Sequence, residues 1–266
     1  MKVLIGSPIH QKSNVLQEFL ISLNELQKNS LTVDYMLMDD NTDEDSSLLL
    51  DDFKQKNPNA IIIKTQNSNQ YQKDEYTHYW SDDLIWKVAA MKDSIILYAK
   101  QHEYDYLFLV DSDLILHPQT LEQLIKADKD IISNIFWTQW QPNTMEMPQV
   151  WVQDDYKMFT SNRKNPLSDE EGTRKSFEFM ANLRVPGIYK VGGLGACTLI
   201  SMKAIQSGVR YAEIYNLSIW GEDRHFCIRA AALGFTLYVD THYPAFHIYR
   251  ESELDKVSIY KKSCSI

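Results

Sequence analysis

Short apolar runs alternate with stretches of helical periodicity through the first half of the chain, and no other feature of the sequence restricts the fold so far. This is the pattern of parallel strands joined by crossover helices. Residues 3–5 read as a buried strand. Leu16, Phe19, Leu20, Leu23 and Leu26 recur at spacings of three and four over residues 14–28, which places them on one face of a helix. Apolar runs at 33–38 and 60–63 supply two more strands. A second stripe, Leu84, Val88, Met91, Ile95 and Tyr98, occupies residues 82–100 behind Ser81, a residue type that caps helices by accepting a backbone hydrogen bond. Residues 106–110 form the fourth and most clearly marked strand, and Pro118 opens a helix at 119–127, where its missing N–H is not needed.

Beyond that point the alternation weakens. Residues 131–137 continue the sheet, whereas 154–185 are polar, mixed in charge and without periodicity. So long a stretch reads as an irregular functional loop or lid. Order returns with an apolar segment at 191–200, a short helix near 202–207 and a helix at 222–233. At 266 residues the expectation is one α/β domain with a mostly parallel central sheet flanked by helices, 1–130 binding the ligand and 131–266 completing the site.

The 27 Lys and Arg against 36 Asp and Glu give a formal charge of −9, which disfavours nucleic acid and anionic membrane surfaces as partners. An anionic ligand would need local neutralisation, and a divalent cation held by carboxylates reverses the local field. Cys197, Cys227 and Cys264 are odd in number and lack CxxC spacing, so they suggest neither a disulfide framework nor a zinc site, and a reducing cytoplasm fits. Residues 1–6 are too short an apolar start for a signal-peptide core, and no run reaches the ~18–20 apolar residues of a membrane span.

In open α/β sheets ligands bind outside the carboxyl ends of the strands. Those ends here carry Ser7-Pro8-Ile9, Asp39-Asp40-Asn41 and Asp111-Ser112-Asp113. Residues i and i+2 of an extended segment point the same way, so Asp111 and Asp113 can present both carboxylates to one ion. Hard oxygen ligands suit Mg²⁺ or Mn²⁺, whose shell is usually completed by substrate phosphates. The competing reading is that the two acids merely cap a turn.

The segment from Leu107 to Asp113 resembles the DxD motif of GT-A glycosyltransferases, particularly the inverting family 2. Asp39-Asp40-Asn41-Thr42-Asp43 is similar to the acidic turn after that family's second strand. The resemblance implies that this turn and Ser7-Pro8-Ile9 hold the nucleotide. Ala89-Ala90-Met91-Lys92-Asp93 approximates the family's Ala-Arg-Asn element, with Lys92 in place of Arg, and Gly192-Gly193-Leu194-Gly195 resembles its glycine segment near the donor sugar. Trp220-Gly221-Glu222-Asp223 looks like the Glu-Asp motif that opens a helix, which implies Asp223 as general base beside Glu222. Those acids could instead only complement a helix dipole. His247 resembles the late histidine that joins Asp111 and Asp113 as a metal ligand, with His242 as the neighbour most easily confused with it. Of the six tryptophans, only Trp220 is placed near the site.

The resemblance therefore implies a GT-A fold and a metal-dependent transfer of a hexose-type sugar from a nucleotide-diphosphate sugar, UDP-sugar first. The acceptor would be a glycan, a lipid-linked sugar, a peptide or a protein side chain. Three alternatives stand beside it: a retaining transferase using GDP-mannose, a phosphohydrolase of the haloacid dehalogenase type, and a non-catalytic sugar-nucleotide-binding module.

Overall fold

The computed structural model describes residues 1–65, 72–73, 78–153, 156–164 and 166–264. Within the expected loop, Asp154, Asp155 and Asn165 lie outside the described residues. The central sheet is built from β1 (Lys2–Ile9), β2 (Thr32–Asp39), β3 (Ala60–Lys64), β4 (Tyr106–Val110), β5 (Ile131–Thr138), β6 (Ile188–Val191), β7 (Cys197–Ser201) and β8 (Leu237–His247). Their order across the sheet is β6-β8-β5-β7-β4-β1-β2-β3. Strands β3, β2, β1 and β4 pair in parallel, as do β5 and β8, while β7 runs antiparallel between β4 and β5, and β6 antiparallel at the edge. The sheet is thus mostly parallel.

Both of its faces are covered. Leu4, Leu107 and Leu109 belong to one buried cluster, and Val3, Ile5, Phe108 and Val110 to the other. Alternate residues of one strand therefore serve opposite layers, and that is why these strands read as continuous apolar runs. Helices α1 (Ser13–Glu25) and α2 (Glu44–Lys56) pack on each other. Helix α3 (Asp82–Gln101) packs on β1 and β4, capped by the Ser81 hydroxyl accepting from Leu84 N–H. The chain continues through α4 (Thr120–Lys126), α5 (Asp169–Leu183), α6 (Met202–Gln206), α7 (Glu222–Ala232) and a terminal α8 (Val257–Ser263). Among the described residues no helix is long and apolar enough to cross a membrane.

Three sequence expectations need correction. The span 154–185 is not one irregular loop, because Ser168 and Glu171 form a reciprocal capping box that starts the four-turn helix α5. Its periodicity is invisible because it buries only Gly172, Met180 and Leu183. Helix α2 is likewise unforeseen, with Asp43 capping a segment that buries only Ser46, Leu50 and Phe53. The first strand does not end before Ser7 but runs on through Ile9, paired with β2 as far as Asp39.

Candidate active site

Six strands point their carboxyl ends to one edge of the sheet, and β7 brings its amino end to the same edge. Asp111 and Asp113 follow β4 there, Thr138 ends β5, and His247 ends β8. Gly221 starts α7 with φ +105, a left-handed conformation that favours glycine, and so turns Glu222 and Asp223 into the helix's first turn. The cleft along this edge holds two adjoining hollows, one of about 80 Å³ beside β1 and one of about 240 Å³ beside α7. Trp80, Asp111, Asp113 and Glu222 line both.

Beneath the cleft lies Lys92. Its side chain is 2% exposed, and its ammonium group donates to Glu222 Oε1 at 2.9 Å and Asp223 Oδ1 at 3.2 Å, with Asp111 Oδ1 at 3.8 Å. It also lies 4.9 Å from the centre of the buried Tyr211 ring. Burial alone would lower the Lys92 pKa, yet the charges of Asp111, Asp223 and Glu222 override it and hold the group well above its usual value. Lys92 is not in the cleft lining, so it stands under the carboxylates instead of reaching a nucleotide.

Burial pushes the Asp223 carboxyl up to about 7 against the opposing pull of Lys92, with Glu222 and Asp111 adding repulsion. Asp111 is likewise pushed up to about 6 by burial, with Lys92 opposing and Asp113 and Glu222 raising it further. Asp111 is fixed through its backbone, whose N–H donates to the Ala196 carbonyl at 2.8 Å.

Asp113 faces His247, with Oδ2 and Nε2 separated by 3.5 Å, and Gln11 Nε2 approaches the same carboxylate oxygen at 3.4 Å. The other His247 nitrogen, Nδ1, is 2.8 Å from the Thr138 hydroxyl. When Nδ1 carries the proton and donates to Thr138, Nε2 presents its lone pair toward Asp113, the arrangement that a metal-binding histidine needs. Among the described residues, no group of three His, Cys, Asp or Glu side chains is placed to hold a metal ion. Asp113 and His247, with Asp111 turned toward Lys92, would leave most of an ion's coordination shell to other oxygens. That donor set fits Mn²⁺ or Mg²⁺ bound together with phosphates.

On the β1 side, Pro8, Ile9, Asp40 and Ser112 line the smaller hollow together with His10 and Gln11. Asp40 is buried and held below the usual carboxylate range: burial raises it, and contacts from His10, Lys87 and Thr65 outweigh that. The Lys87 ammonium is 2.6 Å from its Oδ2. Ser7 and Asp39 do not reach the cleft. Ser7 is fully buried within β1, its hydroxyl donating to the Pro8 carbonyl at 3.2 Å. Asp39 accepts from the Asn41 backbone and amide and from the Ser47 hydroxyl, and so shapes the turn that presents Asp40. Asn41 accepts in turn from Gln11 N–H at 2.8 Å and ties the two strand ends together.

The glycine segment serves the protein's own chain. A side chain at Gly192 would collide with the Val152 backbone and one at Gly193 with the Trp151 indole, so neither position opens toward the donor. Gly195 is the one beside the chemistry, because a Cβ there would strike the Asp223 carboxylate. Trp220 does line the larger hollow, but so do Trp80 and Trp140, which the sequence reading set aside. His242 lies elsewhere, 3.1 Å from Asp240.

No family model matches the chain, and no curated protein sequence matches it. Solved structures do. GalNAc-T7 with UDP, GalNAc and Mn²⁺ superposes with a TM-score of 0.59 at 15% identity, over 94% of this chain and 43% of that one. The mannosyltransferase PcManGT from Pyrobaculum calidifontis, in complex with GDP-Man and Mn²⁺, gives 0.55 at 10% identity, over 97% and 60%. Residues 1–349 of S. aureus TarS give 0.54 at 12% identity, over 99% and 71%. The chain therefore has the GT-A fold of these glycosyltransferases, while spanning less than half of the GalNAc-T7 chain.

Proposed function

We propose that the protein is a metal-dependent glycosyltransferase that moves a hexose from a nucleoside-diphosphate sugar to an acceptor hydroxyl, with Asp223 as general base. The observation that carries it is the meeting, on one sheet edge, of Asp113 and His247, 3.5 Å apart, with Asp223 across Asp111 and Glu222. The GT-A fold supports the reading, although a fold alone never fixes a function. The haloacid dehalogenase alternative has no support in this fold.

Pro8, Ile9 and the Asp40 turn would take the nucleoside. Asp113 and His247 would hold the cation with Asp111 alongside. When bound, the cation would supply Lewis-acid stabilisation of the departing diphosphate. Asp223 would accept the acceptor's proton as its oxygen bonds to the anomeric carbon, while the bond from that carbon to the diphosphate oxygen breaks and its electron pair leaves with the diphosphate. Lys92 would keep Asp223 and Glu222 in place. UDP is the preferred nucleotide and GDP the second; neighbours of this fold were solved with UDP and with GDP-Man.

Calorimetric titration with UDP and then GDP, with Mn²⁺ present and then chelated, tests the reading. Micromolar, metal-dependent binding of one of them is the expected result, and no binding under any condition would overturn it. Asp113→Ala is expected to erase the difference between the Mn²⁺ and chelated titrations. Thr138→Val, which removes the partner of His247 Nδ1, is expected to weaken metal affinity by about 10–100-fold. An unchanged metal affinity would separate His247 from the ion.

The pH profile follows from the base. Asp223 must be unprotonated to act, and its carboxyl is raised to about 7. Transfer is therefore expected to fall toward acid with a limiting slope of about one decade per pH unit. A rate that stays level from pH 8 to pH 5 would exclude Asp223 as the base.

A further inference from the structure

Beyond the carboxylates, the larger hollow is rimmed by aromatic side chains that water reaches: Trp80 at 39% exposure, Trp140 at 40%, Trp220 at 49% and Tyr156 at 52%. Large aromatics left open to solvent around one concavity mark a binding surface more often than a packing fault. These rings are also held in place. The Trp220 indole N–H donates to Asp82 Oδ1 at 2.9 Å. Trp140 meets Tyr249 edge-on at 5.2 Å, and its carbonyl accepts from the Arg250 guanidinium at 2.6 Å. Tyr156 stands edge-on to Trp151 at 4.8 Å, with the Arg224 guanidinium 4.5 Å from its ring centre. Rings fixed before the ligand arrives lose little freedom on binding it.

The polar groups between them narrow the ligand further. Gln149, Glu222 and Asp223 offer hydrogen-bond acceptors, and ionised carboxylates accept only. Among the described lining residues there is no lysine or arginine. With Asp111 and Asp113 taken up by a bound cation and Lys92 paired with Glu222 and Asp223 from beneath, the hollow has no lining lysine or arginine left to attract an anionic acceptor such as a phosphorylated glycan or a lipid diphosphate. A lipid chain would lie across an acidic floor. A ligand that presents C–H faces to aromatic rings and hydroxyl donors to carboxylates suits both features at once.

We infer that the aromatic-rimmed hollow beside α7 is an acceptor subsite for a neutral saccharide, whose ring stacks on Trp140 or Trp220 while one hydroxyl points at Asp223. This rests on the transferase reading and names the acceptor class of that same site. In the transfer step the saccharide hydroxyl would lose its proton to Asp223 as its oxygen bonds to the anomeric carbon, while the bond from that carbon to the diphosphate oxygen breaks and its electron pair leaves with the diphosphate.

The test uses the full chain, with Mn²⁺ and whichever of UDP and GDP binds, on a printed array of neutral and anionic glycans beside an array of Ser-, Thr- and Asn-containing peptides. The expected result is binding to a set of neutral glycans with one shared terminal sugar, weakened about tenfold or more by Trp140→Ala or Trp220→Ala and changed less than about threefold by Trp140→Phe, which keeps a stacking face. Preference for peptides or anionic glycans, absence of glycan binding, or neutral-glycan binding that neither alanine variant alters would each overturn the saccharide assignment. The transferase reading would survive those outcomes. Failure of the wild-type protein to bind either nucleotide with Mn²⁺ would remove that reading itself.

Discussion

Asp223→Asn is expected to lower the rate of sugar transfer by about 10²–10⁴-fold, the usual contribution of a positioned general base, while nucleotide affinity stays within about threefold. The substitution keeps the shape that Gly195 makes room for, so the side chain still fits beside that glycine. What it removes is the capacity to take up a proton. Lys92 retains Glu222 at 2.9 Å, which limits the structural damage. Single-turnover transfer and calorimetric nucleotide binding on one preparation separate the two effects. A transfer rate within about tenfold of wild type would dismiss Asp223 as the base, and equal loss of nucleotide binding would abolish the division between donor-binding and base residues.

Lys92→Met is expected to cost about 3–5 kcal/mol of stability, the range for removing one partner of a buried ion pair and leaving the other uncompensated. For a domain of this size that corresponds to a fall in Tm of roughly 10 °C or more. The pH dependence identifies the cause. In the wild type the folded-state value of Asp223, about 7, lies above the ~3.9 of an unfolded aspartate. The folded protein thus binds more protons than the unfolded chain between about pH 4 and pH 7, and this contribution to stability is lost as pH rises through that window. Without Lys92 the carboxylates repel more strongly, so the deficit of the variant is expected to grow from pH 5 to pH 8. Thermal melts across that range check it. A deficit independent of pH would mean that Lys92 acts by filling space and not by its charge.

Much of the scaffold is legible in the sequence because its elements announce themselves locally. Residues 106–110 are apolar enough to be a central strand, and Asp111 and Asp113 stand at its carboxyl end. Helix α3 shows its stripe and its Ser81 cap, and Glu222 and Asp223 open α7 as the resemblance to the Glu-Asp motif implies. The unreadable parts depend on distant partners. Lys92 is marked by the resemblance, but its place beneath the carboxylates is not, because it depends on Glu222 and Asp223, which are 130 and 131 residues away in the chain. Thr138 carries no signal until β5 and β8 pair and bring it against His247. Helices α2 and α5 escape because each buries so narrow a face that few apolar residues mark the period. Glycines 192, 193 and 195 announce close approach but not of what, and the answer is Val152, Trp151 and Asp223.

The insertion of β7 between β4 and β5 also governs how the molecule can be made. A chain emerging from the ribosome as far as residue 130 has β1, β2, β3 and β4 available to pair, yet one side of β4 stays open until residues 197–201 arrive. That open side carries the most apolar strand of the protein, an unpaired backbone edge of the kind that recruits other chains. Translation of some seventy further residues separates the exposure of this edge from its closure. The nascent protein is therefore most vulnerable to self-association before its second half exists, and a fragment ending near residue 130 is expected to be recovered as aggregate and not as a nucleotide-binding domain.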